Sequence, residues 1–329
     1  AQRVAEIPHD VDLDALKRAW EKVIAANPIL RTRAAQLEEP GLQQVVLKEG
    51  ISWRHATDLN RYLVDDKNER MDLGQNLARY AIIESAESGN RYMVWSVHHL
   101  LYDGWSEPLI LKQVSDALQD QPLEISSCMR NFVEYVRETD EDAMQDFWRQ
   151  ELEGAVGPQF PRMPSRDFVP TPDTTVERLI PLETGTGFPF TLATLIRGAW
   201  ALVASQYSGS DDVLFGETLT GRDIALAGVE GIVGPLIATV PIRIRINRES
   251  TLETFLQSVQ QSILARTPYQ HMGWQNIRKV SLDAQHASEA ATGLVIQPEP
   301  EYVGNDLGFQ LGDVVREALH FNPYPLMVG

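Results

Sequence analysis

Between Gly154 and Pro172 the chain carries prolines at 158, 161, 164, 170 and 172 and glycines at 154 and 157. Neither a helix nor a central strand tolerates that density. Proline has no amide hydrogen to donate, and its ring clashes with the preceding helical turn. The segment therefore divides the 329 residues into two stretches, each long enough for a core of its own. Helical and strand-like periodicities alternate on both sides of it, which predicts an α/β protein of two halves. The expected boundaries are an N-terminal lobe over 1–153, a proline-rich crossover over 154–175 and a C-terminal lobe over 176–329. No internal repeat and no low-complexity tract is present.

In the first half, Leu13, Leu16, Trp20, Val23 and Ile24 fall on one helical face, with Asp12 as N-cap and Asn27-Pro28 as terminator. Strands are predicted over 29–34 and 42–47, and a strand pair over 77–83 and 92–97 around Ser88-Gly89-Asn90. A helix capped by Ser106, with Pro108 in its first turn, should run to Leu118. One long helical region is expected over 131–153. In the second half, strands are predicted at 176–181, 213–219, 239–246 and 293–297, and helices at 191–207 and 251–265.

Composition excludes several classes of function. With 29 Lys and Arg against 46 Asp and Glu, the net charge is -17. Nucleic-acid binding needs a basic face, and anionic membrane surfaces repel such a chain. No apolar run reaches bilayer length, and Ala1 to Glu6 reads as mid-strand rather than as a signal peptide. The lone Cys128 excludes a disulfide framework and a cysteine metal cluster. A reducing, cytoplasmic compartment is the expectation, with no nucleic acid, membrane or metal as partner. There is no GxxxxGK, HExxH or GxSxG run. His9, His55, His271, His286 and His320 are scattered and read as structural or exposed. The acidic clusters at 65–67 and 138–142 read as solvated surface.

One motif remains. Tyr92 to Val97 leads into His98-His99, followed by Leu100-Leu101-Tyr102, then Asp103-Gly104-Trp105-Ser106. A strand end before a glycine-containing turn and a helix start is a usual place for reactive side chains on a rigid scaffold. Adjacent strand residues point to opposite faces, so one histidine can reach a cleft while the other faces the body. A histidine with a carboxylate near it suits general-base chemistry.

The run His98-His99-Leu100-Leu101-Tyr102-Asp103-Gly104 matches HHxxxDG, the signature of nonribosomal peptide synthetase condensation domains, and the chain resembles that family over nearly its whole length. Leu30-Arg31-Thr32 is similar to the family's "HExLRTxF" block, 215–223 to its "GxxxxGR" loop, and 232–243 to its "IGxFxNTxPxR" block. Fungal members are the most similar. The resemblance implies a chloramphenicol-acetyltransferase-like fold: a two-lobed, V-shaped pseudo-dimer around a central substrate tunnel. It implies amide formation, in which a carrier-bound amine attacks a carrier-bound acyl or peptidyl thioester.

By the same resemblance, His99 would act on the amine, as base or as positioner. His98 would support the loop, Asp103 would pair with Arg31, and Gly104 would leave room for a pantetheine arm or loop backbone. Trp105, Ser106, Gly234 and Thr239 are expected along the tunnel. No cofactor would be bound by the domain itself. Phosphopantetheine arms would arrive on an upstream donor and a downstream acceptor carrier protein, beside an adenylation domain. Ala238 replaces the family's asparagine in the "NT" pair. The chain starts after the family's first block and stops at Gly329 before its closing elements, so an incomplete second lobe is expected. The alternatives are a terminal cyclising domain, a catalytically silent docking platform and an acyltransferase using coenzyme A.

Overall fold

The computed structural model describes residues 1–39, 41–165, 168–171, 173–180, 189–296, 308 and 324–329. These fall into two compact units.

The first unit opens with β1 (Gln2–Ile7) and α1 (Leu13–Ala26). Asp12 caps α1 by accepting from Asp14 N, as its sequence position predicts, and Asn27 ends the helix. Pro28–Arg31 forms a 3-10 turn, so the next strand, β2 (Thr32–Gln36), begins three residues later than expected. Pro28 occupies the first turn of that short helix, a position its fixed backbone suits. β3 (Leu42–Val46), β4 (Trp53–Ala56) and α2 (Leu59–Asn68) follow. Next come β5 (Ala78–Glu84), β6 (Arg91–Val97), α3 (Ser106–Leu118) and α4 (Met129–Glu138).

The main sheet has the order β1-β6-β5-β4, with only β4 and β5 parallel. Alternation along β5 sends Tyr80 and Ile82 into the larger core and Ala81 and Ile83 to the opposite face. The larger core holds residues of α1 and α3 around a cluster in which the Trp20 ring lies 5.5 Å from Tyr80 and 5.2 Å from Trp95. The smaller core is covered by Leu59, Tyr62 and Leu63 of α2.

Asp66 was expected on a solvated face but is 2% exposed. Its Oδ1 accepts from Arg79 Nε at 2.6 Å, and its Oδ2 accepts from Gln2 Nε2 at 2.8 Å and from the Ser96 hydroxyl. One carboxylate thus ties α2 to three strands. Burial pushes its pKa up, but the hydrogen bonds from Arg79, Ser96 and Gln2 outweigh burial and hold it below the usual value.

The second unit takes α5 (Glu141–Glu151), which the sequence reading joined to α4 as one helix. The break has a local cause: Asp140 leaves helical geometry and caps α5 through Ala143 N. The boundary between the units therefore falls at Arg137/Glu138, before the proline-rich stretch. That stretch is not a free linker. Gly154 N donates to Asp283 at 2.8 Å, Gln159 Nε2 to the His286 carbonyl at 3.1 Å, and the Thr292 hydroxyl to the Phe160 carbonyl at 2.5 Å. Residues 176–180 form no strand, and Val176, Leu179 and Ile180 are exposed. Pro172, Pro181, Gln297 and His320 lie outside the described residues.

The remaining elements are α6 (Leu192–Ser208), β7 (Asp212–Leu219), β8 (Ala238–Arg245), α7 (Leu252–Arg266), α8 (Trp274–Ile277), α9 (Leu282–Ala287), β9 (Thr292–Val295) and β10 (Leu326–Val328). Their sheet order is β10-β9-β7-β8, with only β7 and β8 antiparallel. Thr191 and Thr251 cap α6 and α7. A Cβ on Gly198 would come within 2.9 Å of Leu256, so this glycine permits close contact of the two helices. The buried pair Arg197–Glu217 joins α6 to β7.

Between β7 and β8, residues 225–236 leave the second unit and belong to the first. Val233 enters the first core, and Ile232 is fully buried.

Replacing Asp66 by Asn takes from the buried Arg79 its close charge partner, leaving only the half-exposed Glu69 carboxylate 3.8 Å away, and is expected to cost about 3 kcal/mol. The carboxylate's pKa is depressed on folding. Its stabilisation is present above the unfolded value of about 3.9 and is lost as pH falls through the lower folded value. Urea melts across acidic pH should therefore show a shallower acid loss in Asp66→Asn than in the parent. Equal slopes would contradict this assignment.

Candidate active site

The sheet hands over to the motif through a tight turn. His98 N donates to Leu77 O at 2.8 Å, one bond beyond β6, and Leu101 N closes the turn on His98 O at 3.0 Å. His99 and Leu100 occupy its two corners and are exposed, while Leu101 and Tyr102 are each 1% exposed. An exposed corner between a sheet bond and two buried side chains has little freedom to move.

The histidines differ because they sit in this turn rather than on the strand. His98 is half-buried, and its Nδ1 accepts from Leu100 N at 3.1 Å. Burial lowers its pKa. A neutral ring accepting at Nδ1 carries its proton on Nε2. His99 lies exposed with its ring stacked on Tyr102, centroids 4.5 Å apart and planes at 15°. The Tyr102 hydroxyl is 3.3 Å from His99 Nε2. Tyr102 in turn packs on Trp95 at 6.1 Å, which connects the His99 ring to the first core.

Asp103 is 1% exposed. Its Oδ1 accepts from Ser106 N at 2.8 Å, and Ser106 Oγ accepts from Asp103 N at 2.9 Å. This is a reciprocal capping box, and Glu107 N to Asp103 O at 3.1 Å is the first helical bond of α3. Asp103, not Ser106, is thus the capping residue. Its Oδ2 accepts from Leu236 N at 2.9 Å, which fixes the end of the returning 225–236 segment. One residue past Ser106, the buried Glu107 carboxylate is gripped by Arg3, with Nη2 to Oε2 at 3.0 Å. The start of α3 is therefore bound to β1 as well.

The expected ion pair between Arg31 and Asp103 is not formed. The 3-10 turn directs Arg31 elsewhere: its Nη1 donates to the Leu47 carbonyl of the neighbouring chain segment, and its Nε is buried without a partner. Gly104 is exposed in the turn that leads into α3. Trp105 is 39% exposed, and its Nε1 donates to the Glu230 carbonyl at 3.0 Å, a second anchor for the 225–236 segment. Ser106 is 0% exposed. Gly234 is buried with φ 143°, and a Cβ there would lie 2.8 Å from Met129 Sδ. Its role in the first unit is close packing. Thr239 belongs to the second unit, where its hydroxyl pairs with that of Thr218 at 3.1 Å across β7 and β8.

Sequence reasoning missed Tyr102 and the Leu236 amide. Tyr102 lies within the quoted motif, but nothing in its spacing distinguishes a stacking partner from core. A backbone amide 133 residues away has no side-chain signature at all. Of the scattered histidines, His271 bonds the Gly221 carbonyl at 2.9 Å and His286 that of Gly157 at 3.0 Å, while His9 and His55 are exposed.

Comparison with known proteins fits this arrangement. The family described as "Condensation domain" matches residues 1–299. A protein named "Nonribosomal peptide synthetase sidD" from Aspergillus fumigatus is 71% identical over 328 residues, spanning 100% of this chain and 16% of its own length. "Nonribosomal peptide synthetase 1" from Ajellomyces capsulatus is 42% identical, over 100% of this chain and 19% of its own length. The chain thus spans under a fifth of these curated relatives. Among solved structures, "The crystal structure of CT" matches with a TM-score of 0.76 and 20% identity, covering 94% of this chain and 73% of that one. The first condensation domain of the CDA synthetase matches with a TM-score of 0.59 and 16% identity, over 92% and 76% of the two chains. The shared fold is of the chloramphenicol-acetyltransferase type. The chain belongs to the condensation-domain family of nonribosomal peptide synthetases.

Replacing Asp103 by Ala removes the cap and leaves the Leu236 amide without its acceptor. Together these should cost about 2–4 kcal/mol in denaturant unfolding. Asp103→Asn can keep its oxygen on Ser106 N but then turns an amide donor toward Leu236 N. Amide hydrogen exchange at Leu236 should accelerate in both variants, and unchanged protection would contradict this geometry.

Proposed function

We propose that this chain forms an amide bond between two carrier-bound substrates, with His99 as the group that handles the proton. The observation that carries the reading is the exposed His99 imidazole, held at the corner of a turn whose flanks are buried and bonded. Family membership supplies the reaction class.

The chemistry asks little of the protein beyond position and one proton. A thioester carbonyl is already activated. The acceptor nitrogen attacks it, the C–N bond forms, the C–S bond breaks, and a thiolate departs. The nitrogen must lose a proton, which the His99 ring can take and return to the leaving sulfur. Alignment of two long substrates can supply roughly 7–11 kcal/mol of barrier reduction, and a general base adds about a hundred- to ten-thousandfold. Tyr102 stacked against the ring fixes its plane. Asp103 holds the turn from below and is a positioning residue rather than a proton acceptor, because both its oxygens accept from backbone amides.

In this reading the substrates ride on phosphopantetheine arms of a donor and an acceptor carrier domain, beside an adenylation domain. The chain itself binds no cofactor and works in the cytoplasm. No helix among the described residues is long and apolar enough to cross a membrane.

The test is single-turnover transfer between two loaded carrier proteins. His99→Ala should slow amide formation by about two to four orders of magnitude. A dominant contribution from alignment would shrink this loss and make it depend on acceptor basicity. An unchanged rate with every acceptor would remove His99 from the chemistry and favour a silent docking platform.

A further inference from the structure

β3 is an edge strand with one open side. Among the described residues it pairs only with β2. The far side of β2 is covered, since Gly74 N donates to Ala34 O at 2.7 Å. The bonds at both ends of this hairpin fix which backbone groups point outward. Leu47 N donates to Arg31 O and Leu37 N to Gly41 O, each at 3.0 Å. Arg33 stands opposite Val45 and Ala35 opposite Gln43, so the odd-numbered residues of β3 turn their amides and carbonyls to β2. Leu42, Gln44 and Val46 present theirs to solvent.

This edge lacks the usual protection. Edge strands are commonly blunted by charged side chains, proline or a covering element. The other edge strands longer than three residues carry charge: Arg3 and Glu6 in β1, Arg54 in β4, Arg243 and Arg245 in β8. Residues 41–47, Gly-Leu-Gln-Gln-Val-Val-Leu, carry none. Leu42 is 61% and Val46 49% exposed.

The strand is complementary to itself. Centring an antiparallel pair of two copies on Gln44 sets Leu42 of each copy opposite Val46 of the other, and Gln44 opposite Gln44. Even-numbered residues then meet even-numbered residues, so every outward amide of the strand finds an outward carbonyl. A shift by one residue would set outward groups against inward ones. The Leu42–Val46 contacts recur on both sides of Gln44, on one face of the ribbon, as stabilising cross-strand pairs do. The same register brings the exposed Lys48 of each copy beside the exposed Glu38-Glu39 of the other. On a chain of net charge -17, where most faces repel a second copy, this neutral strand with opposite charges at its two ends does not.

We propose that β3 is a self-association edge, through which two copies of this chain pair antiparallel over residues 42–46 about a two-fold axis at Gln44. The contact is isologous, the same strand serving both copies.

The experiment is sedimentation velocity over a concentration series on the parent, Gln44→Lys and Gln44→Glu. Gln44 is exposed and its amide faces away from β2, so either substitution leaves the hairpin's own bonds in place, which circular dichroism checks. The parent should shift from monomer toward dimer as concentration rises. Each variant alone sets like charges opposite each other on the axis and should dimerise about fivefold more weakly. An equimolar mixture of the two should recover at least the parent's association. Amide exchange in the parent should show Leu42, Gln44 and Val46 gaining protection with concentration, while Gln43 and Val45 are protected throughout. A parent that sediments as a monomer up to its solubility limit overturns the proposal. A dimer indifferent to both substitutions overturns it too, by placing the contact elsewhere. So does a mixture that associates no better than the single variants, because the strand would then not meet itself at Gln44.

Discussion

The Asp103 carboxylate is the contact on which the site depends. One oxygen starts α3 by accepting from Ser106 N, and the other stops the returning 225–236 segment by accepting from Leu236 N. A buried carboxylate in an apolar setting is costly unless hydrogen bonds replace its water, and backbone amides do so with fixed geometry. With Asp103 so engaged, the four-residue link between His98 and Asp103 has both ends fixed: the sheet bond to Leu77 at one, the helix cap at the other. His99 then projects from the turn with its ring stacked on Tyr102.

Other buried charges in the same unit act in the same way at greater range. The Arg3–Glu107 pair connects β1 to the first turn of α3, and Asp66 connects α2 to β1, β5 and β6 through Gln2, Arg79 and Ser96. Buried pairs of this sort add little net stability over apolar packing, but breaking one is expensive. Their effect is to fix register between elements that hydrophobic contact alone would allow to slide. The second unit uses Arg197–Glu217 similarly between α6 and β7.

Much of the fold is legible in the residues. Helix starts at Asp12, Thr191 and Thr251, the strand pair β5/β6, and the strands β7 and β8 follow from periodicity and capping chemistry. The errors share a cause. Asp66 sits in an acidic cluster that reads as surface, yet a helix lying on a sheet turns some of its charged residues inward wherever a partner arginine waits. Pro28 starts a 3-10 turn that sends Arg31 to Leu47 and away from Asp103. The proline-rich stretch does break helix and strand, but its carbonyls and amides are bonded to α9, β9 and their flanks, so it packs instead of linking. In each case a side chain or loop took a partner far away in sequence.

By itself the sequence determined the local grammar, the family through its ordered motifs, and the residues fit for proton transfer, because these depend on residue type and short-range spacing. Tertiary structure alone decided that Asp103 accepts from Leu236 N, that residues 225–236 fold with the first unit, and that Tyr102 stacks on the His99 ring. The reason is physical. Backbone amides are identical in every residue but proline, so which amide fills a buried carboxylate's second oxygen leaves no mark on composition or periodicity. It is settled only when residues 225–236 pack within the first unit and the desolvated oxygen takes the donor that packing brings to it.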